Sequence, residues 1–101
     1  MTTPAGFNST IHPEQRIRVC AFLMANEEVA FAVLREALGL SESAMSKQLK
    51  VLSQAGYVRV TKEKGVPRPR TWVALTAEGR QVTSGHLAAL RDIAATVAER
   101  H

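Results

Sequence analysis

Residues Leu38 to Gly56 read LGLSESAMSKQLKVLSQAG and combine the end of one helix, a tight turn and the start of another. Gly39 takes a left-handed backbone without steric cost, which suits a helix end. Ser41 is a good N-cap for the helix that follows. Three apolar side chains then recur at helical spacing: Met45, Leu49 and Leu52. The stretch therefore predicts a turn followed by a helix with one apolar stripe, which ends at Gly56.

The opposite face of this predicted helix is polar and basic. Its side chains are short or positively charged: Ser43, Ser46, Lys47, Lys50 and Gln54. Such a face can lie against a polyanion without crowding, and a helix of this kind after a tight turn is typical of a DNA-reading helix-turn-helix. An ordinary solvated face of an amphipathic helix is the alternative, because serine and lysine are common on such faces.

Positive charge is concentrated in one part of the chain. The 101 residues carry a net charge of +4, with 13 Lys and Arg against 9 Asp and Glu. Residues 47–70 hold seven of these Lys and Arg residues and one Glu, a net charge of +6. The rest of the chain therefore carries a net charge of −2. A contiguous basic region is the footprint expected of a site for nucleic acid.

One domain, residues 11–101, is expected to follow a flexible N-terminus at residues 1–10, which are small and polar. Pro13 and the acid after it predict a helix start, and this helix runs to about Asn26. The segment from Ile17 to Met24 is apolar nearly all round. We therefore expect the first helix to be covered on more than one side.

The apolar period changes from 3.6 to 2 after Gly56, which predicts a β-strand. A loop at 63–69 (EKGVPRP) and a second strand follow, so the segment is interpreted as a β-hairpin with a long basic tip. Thr76 caps a last helix over about residues 76–99. Helix, helix, helix, hairpin and helix is the order of a winged helix-turn-helix, an α+β fold that is mostly α.

Three segments carry a resemblance to a known family. They read IHPEQRIRV at 11–19, FAVLREALGLSESAMSKQLKVLSQAGYVRV at 31–60 and PRPRTWVALTAEGR at 67–80. Through these segments the chain resembles the small winged-helix transcriptional regulators of the ArsR and MarR type, most closely the short stand-alone winged-helix DNA-binding proteins. The likeness extends from Ile11 to about Ile93.

The resemblance implies sequence-specific binding of double-stranded DNA by a homodimer that regulates transcription. It places the reader helix, residues 41–55, in the major groove, with contacts from Ser43, Ala44, Ser46, Lys47, Gln48 and Lys50. It places the wing, residues 63–70, on the backbone or in the minor groove, with contacts from Lys64, Arg68 and Arg70. Metal sensors among these regulators use clustered cysteines, so the single Cys20 argues against a metal site.

Other functional classes find little support in the sequence. Cys20 lies among apolar residues and is interpreted as a core residue of a protein from a reducing cytoplasm. The chain has no run as long as a membrane span and no signal peptide, so a cytoplasmic protein is expected. The three histidines, His12, His86 and His101, lie far apart in the sequence and outside any catalytic or metal motif. We therefore expect neither an enzyme nor a cofactor.

A winged helix used as a protein–protein interaction module without DNA binding is the alternative function. Charge argues against it, because protein interfaces deplete lysine at their centre, whereas contacts to phosphate require Lys and Arg. The sequence names no effector.

A two-fold homodimer is predicted from the apolar surfaces of the first and last helices. The expected interface residues are Ile17, Cys20, Met24, Leu90, Ile93 and Val97. Pairing through them sets two reader helices about 34 Å apart, so the DNA site is expected to be an inverted repeat. The alternative is that the last helix folds back on the first within a monomer.

Overall fold

The computed structural model describes residues 3–99, which form four helices and three strands. In chain order these are α1 (Glu14–Met24), β1 (Val29–Ala30), α2 (Phe31–Leu38), α3 (Glu42–Gln54), β2 (Val58–Lys62), β3 (Thr71–Leu75) and α4 (Ala77–Glu99). The strands form one antiparallel sheet in the order β1-β3-β2. The predicted winged helix-turn-helix is confirmed.

The turn between α2 and α3 has the predicted local chemistry. Gly39 ends α2 with a left-handed backbone, φ 66°, and the N–H of Leu40 donates to the carbonyl oxygen of Arg35 over 3.1 Å. The side chain of Ser41 then caps α3, because its Oγ accepts from the N–H of Ala44 over 3.1 Å. These bonds give partners to backbone N–H and C=O groups that the two helix ends would otherwise leave without a hydrogen bond.

The core lies where α1 packs against the other elements. Its fully buried side chains come from every layer of the fold: Ile11, Val19, Cys20, Leu23, Leu34, Met45, Leu52 and Val73. α1 contacts α2, α3, α4 and β3. This burial on several sides explains why α1 is apolar nearly all round, and Cys20 is the core residue that the sequence predicts.

The hairpin of β2 and β3 extends beyond the core. Its register runs from Val58 opposite Leu75 to Lys62 opposite Thr71. At its end, the N–H of Glu63 donates to the carbonyl oxygen of Arg70 over 2.9 Å, and the Glu63 carboxylate accepts the N–H of Arg70 over 2.8 Å. All residues from 61 to 70 are exposed, so the loop at 63–70 projects as a wing.

Residues 7–10, which belong to the stretch 1–10 predicted to be flexible, contact the rest of the domain; residues 1 and 2 lie outside the described part. The Nδ2 of Asn8 donates to the hydroxyl of Tyr57 over 3.1 Å, and its Oδ1 accepts from the N–H of Thr10 over 3.0 Å. Phe7 packs on two imidazole rings. These contacts bind residues 7–10 to the domain, and their partners lie too far along the chain to be recognised in the sequence.

α4 is the longest element, with 23 residues, or about 35 Å. Thr76 caps its start as predicted, because its Oγ1 accepts from the N–H of Gly79 over 2.9 Å. All residues from Arg91 to Glu99 are exposed, so the second half of the helix extends beyond the domain. No helix within residues 3–99 is long and apolar enough to cross a membrane.

Two glycines inside α4 differ in the space around them. A Cβ on Gly79 would overlap the backbone carbonyl of Tyr57, so the close approach of α4 to the hairpin base requires glycine at that position. A Cβ on Gly85 would meet Gly6 at 3.8 Å, an ordinary van der Waals contact. Only the first glycine is therefore required by packing.

Replacing each of these glycines by alanine separates packing from helix propensity. We expect Gly79→Ala to lower the free energy of unfolding by about 1–3 kcal/mol, because the backbone must move to relieve the overlap. Gly85→Ala should raise it by up to about 1 kcal/mol, since alanine is the better helix former. Urea unfolding of both variants measures the difference. Equal effects of the two substitutions would contradict the close approach at Gly79.

Candidate nucleic-acid interface

The two faces of α3 differ sharply in burial. Met45 and Leu52 have no exposed surface and Leu49 is 4% exposed, which confirms the predicted apolar stripe. The exposed side chains of the opposite face include four of the predicted contact residues: Ser43, Ser46, Lys47 and Lys50. Ala44 is half-buried beside the cap. The reader face is thus presented to solvent because the other face is held in the core.

Gln48 does not belong to this face. It is 8% exposed, its Oε1 accepts from Nη1 of Arg16 over 2.9 Å, and its Nε2 donates to Oε1 of Gln15 over 2.8 Å. Both ends of the amide are therefore occupied inside the domain, and the prediction that Gln48 contacts a base is wrong for this arrangement. Its role in the structure is to tie α3 to the start of α1.

A signal for this burial was present in the sequence. Gln48 lies three residues after Met45 and four before Leu52, so it shares the apolar stripe of α3. Its partners could not be recognised in the same way, because Arg16 and Gln15 lie 32 and 33 residues earlier. Arg16 is itself held by the carbonyl oxygen of Thr10, which accepts from its Nε over 2.6 Å.

An open groove separates α3 from the base of the wing. Its lining is Phe31, Glu42, Ser46, Leu49, Lys50, Ser53, Val60 and Thr71. Two predicted contact residues, Ser46 and Lys50, therefore face the same space as the strands that lead into the wing. Arg70 lines a second depression, between the wing and the start of α2, whereas Lys64 and Arg68 lie on the exposed loop.

This combination of a capped reader helix, an open groove and a projecting basic wing agrees with the family comparison. A family model described as winged helix DNA-binding domain matches residues 15–94. The chain belongs to this family. No curated protein matches it closely enough to count as a relative.

Solved structures share the architecture of this winged helix DNA-binding domain. A transcriptional regulator homologue from Pyrococcus horikoshii is similar with a TM-score of 0.83 and 23% identity, over 87% of each chain. HlyU from Vibrio cholerae has a TM-score of 0.63 and 26% identity, over 74% of this chain and 77% of its own. PcaV from Streptomyces coelicolor, solved with its natural ligand, has a TM-score of 0.73 and 18% identity, over 88% and 62%. The resemblance to winged-helix DNA-binding proteins that was stated from the sequence is therefore confirmed.

The residues predicted to join two copies of the winged helix domain fall into two groups. Cys20 has no exposed surface, so it cannot touch a partner. Ile17 is half-buried and packs against the domain's own core. Met24 and Leu90, in contrast, line a shallow groove between α1 and α4, together with Ser84, Leu87, Arg91 and Ala94. Ile93 and Val97 are 38% and 47% exposed on the projecting half of α4.

The buried amide of Gln48 makes a prediction about stability. Gln48→Leu leaves a guanidinium N–H of Arg16 without its acceptor, so we expect the free energy of unfolding to fall by about 1–3 kcal/mol. Ser46→Ala, an exposed change on the same helix, should stay within about 0.5 kcal/mol of the parent. Urea unfolding compares them. A Gln48→Leu protein as stable as the Ser46→Ala control would show that the Arg16 contact adds nothing.

Proposed function

We propose that this winged helix domain regulates transcription by reading a specific site in double-stranded DNA. α3 enters the major groove, which is wide enough for a helix, and the wing follows the backbone into the minor groove. The observation that supports this most strongly is the exposed basic surface of α3 and the wing, set on a helix whose other face is buried. The solved transcriptional regulators of the same fold support the regulatory role.

Base contacts are assigned to the outer face of the first turns of α3. Ser43 and Ser46 are exposed hydroxyls that can donate to or accept from base edges, and Lys47 can address O6 and N7 of guanine. The methyl group of the half-buried Ala44 suits an apolar contact with thymine. These four residues supply sequence preference.

Contacts to phosphate are assigned to the surrounding lysine and arginine residues. Lys50 lines the groove beside α3, and the wing adds exposed positive charge at Lys64, Arg68 and Arg70. Contacts of this kind hold the protein in register on the duplex without distinguishing sequences. They also make affinity fall with salt, because bound counterions are released.

Lys47 and Lys50 give a matched test of this assignment. Lys47→Ala should change the preferred base at one position of the DNA site, worth about 1–3 kcal/mol, whereas Lys50→Ala should weaken binding to all duplexes similarly. Selection of duplexes from a random pool, followed by affinity measurements, separates the two effects. Identical selected sites for Lys47→Ala and the parent would remove Lys47 from base reading. A parent that prefers no sequence would favour the interaction-module alternative.

The domain is further proposed to act as a two-fold homodimer joined through the ends of α1 and α4. The groove beside Met24 is mostly apolar and lies next to the exposed end of α4. Leu90, which is half-buried in this groove, forms one stripe with the exposed Ile93 and Val97, at spacings of three and four. Among residues 3–99 of a single domain, no element covers Ile93 and Val97. Burying this stripe against a second copy removes apolar surface from water and pairs two reader helices on an inverted repeat.

A charge placed on the α4 stripe tests the dimer. Ile93→Glu should produce a monomer at micromolar concentration, because a carboxylate would be buried between the two copies. Ala95→Glu is the matched control, since residue 95 lies on the opposite side of the same exposed turn. Sedimentation velocity measures both. A parent that already sediments as a monomer and protects a single half-site would rule out the dimer.

A further inference from the structure

Two histidines that are far apart in the sequence meet where the N-terminal segment, defined here as residues 3–12, crosses α4. Nδ1 of His12 lies 3.3 Å from Nε2 of His86. His86 has no exposed surface. The ring of Phe7 packs against both imidazoles, with centroids 4.9 Å from His12 and 4.8 Å from His86. The N-terminal segment therefore covers a buried, titratable side chain of α4.

The hydrogen bonds of His86 determine where its proton lies. The backbone N–H of Asn8 donates to Nδ1 of His86 over 2.9 Å, so Nδ1 is the unprotonated nitrogen of a neutral ring. The proton is then on Nε2, which donates to Nδ1 of His12. An additional proton on Nδ1 of either ring would face an N–H group. Protonation of the pair must therefore break one of these two bonds.

The same bonds argue against a metal ion between the rings. A metal on Nε2 of His86 would place the ring proton on Nδ1, where the N–H of Asn8 already points. Within residues 3–99, no group of three His, Cys, Asp or Glu side chains could hold a metal ion. The pair is suited to respond to protons instead.

α4 itself brings no second charge to His86. Between Arg80 and Arg91 the helix carries no acidic or basic residue besides His86. The guanidinium of Arg80 donates to carbonyl oxygens at the end of α1, those of Leu23, Met24 and Asn26. Arg91 lines the groove at Met24. Neither arginine is bonded to the histidine pair.

The neighbouring elements contribute one titratable partner. From α1, burial raises the pKa of the Cys20 thiol, which stays neutral in the range where histidine titrates. From the base of the hairpin, the hydroxyl of Tyr57 is bonded to Asn8. His12, at the end of the N-terminal segment, is the neighbouring group whose charge lowers the pKa of His86, in addition to burial.

A continuous set of hydrogen bonds leads from His86 to the reader helix. Asn8, whose N–H is bound to His86, also accepts through Oδ1 from the N–H of Thr10. The carbonyl oxygen of Thr10 accepts from Arg16, and Arg16 donates to Gln48 on the buried side of α3. The N-terminal segment thus connects α4 to the residue that supports the reader helix from behind.

We propose that the His12–His86 pair is a proton-sensitive latch that holds the N-terminal segment on α4. Acidification protonates His86, and residues 3–10 of the segment leave α4, whereas Ile11 stays buried in the core. Because the segment also supplies the Thr10 carbonyl that holds Arg16, its release weakens the support of α3 and lowers the affinity for DNA. This last step rests on the proposed DNA-reading role of α3, whereas the latch itself does not.

The direction of the pH effect follows from proton linkage. Burial, and then the neighbouring His12, lower the pKa of His86 below its ordinary value of 6.5. An undocked His86 regains the ordinary pKa, so the undocked state binds more protons between that value and the lower pKa of the docked state. Docking is fully favoured above pH 6.5 and is lost as the pH falls below it. Each unit of lowering shifts the docking equilibrium about tenfold across that window.

Nuclear magnetic resonance of the full chain tests the latch. Between about pH 7.5 and about pH 5.5, where histidine titrates, the amide proton of Asn8 should lose its protection from exchange in step with the titration of His86. His86→Gln is the matched control, because glutamine can accept from Asn8 and donate to His12 but cannot titrate. Its Asn8 amide should stay protected at both pH values. If that variant does not fold, His12→Gln supplies a second test: His86 still titrates there, and without the charge of His12, which lowers the pKa of His86, the loss of Asn8 protection should move to higher pH. Equal protection of Asn8 in the parent at both pH values overturns the latch.

Affinity for a duplex selected at about pH 7.5 tests the coupling to α3. Protonated histidine adds positive charge, which would by itself strengthen binding to phosphate. A loss of affinity at low pH therefore cannot come from this charge effect. We expect the Kd of the parent to rise by up to about tenfold per unit of pKa lowering, and that of His86→Gln to stay constant. Asn8→Ala keeps the backbone bond to His86 but removes the side-chain bonds to Thr10 and Tyr57, so it should bind more weakly than the parent already at neutral pH. Equal pH dependence of parent and His86→Gln overturns the coupling. A parent that binds no duplex at neutral pH contradicts the proposed function. The exchange protection of the Asn8 amide proton tests the latch independently of DNA binding.

Discussion

Burial of one face of α3 is the constraint on which the rest of the structure depends. Met45, Leu49 and Leu52 are held in the core, and each contributes about 1.5–3 kcal/mol through removal from water. The helix cannot rotate without exposing them, so its serines and lysines must point to solvent. The surface proposed to read DNA is therefore produced by core packing, and we expect substitutions on the two faces to act on different properties: stability on the buried face and recognition on the exposed face.

Polar contacts fix the position of α3 relative to α1, where apolar packing alone would allow the helix to slide along its axis. The amide of Gln48 joins α3 to Arg16 and Gln15 at the start of α1. Hydrogen bonds are directional, so they set the position of α3 along its axis more narrowly than dispersion contacts do. Asn8 has the same function at the N-terminus, where it connects the segment to Tyr57 and His86.

Features that depend on neighbours in the sequence could be predicted well. The cap at Ser41, the left-handed Gly39, the cap at Thr76 and the change of period after Gly56 are all found in the structure. The predicted reader and wing residues are exposed, except Gln48, which is buried, and Ala44, which is half-buried. Features that depend on distant partners could not be predicted. The sequence predicts Cys20 both in the core and at a dimer surface, and only the first is found, because apolar character does not distinguish a domain's own core from an interface.

The sequence alone therefore determined the order of the helices and the hairpin, their ends and the basic region, because caps, turns and apolar periods arise from residues within one or two helical turns of each other. The pairing of the short strand β1 with β3 is found only in the structure. Only the tertiary structure decided which side chains share a site. It brought Gln48 to Arg16 and His12 to His86 across 32 and 74 residues. It also showed that Gly79 is required by the carbonyl of Tyr57. Such pairings depend on how the layers pack, and packing has no local pattern from which it could be recognised.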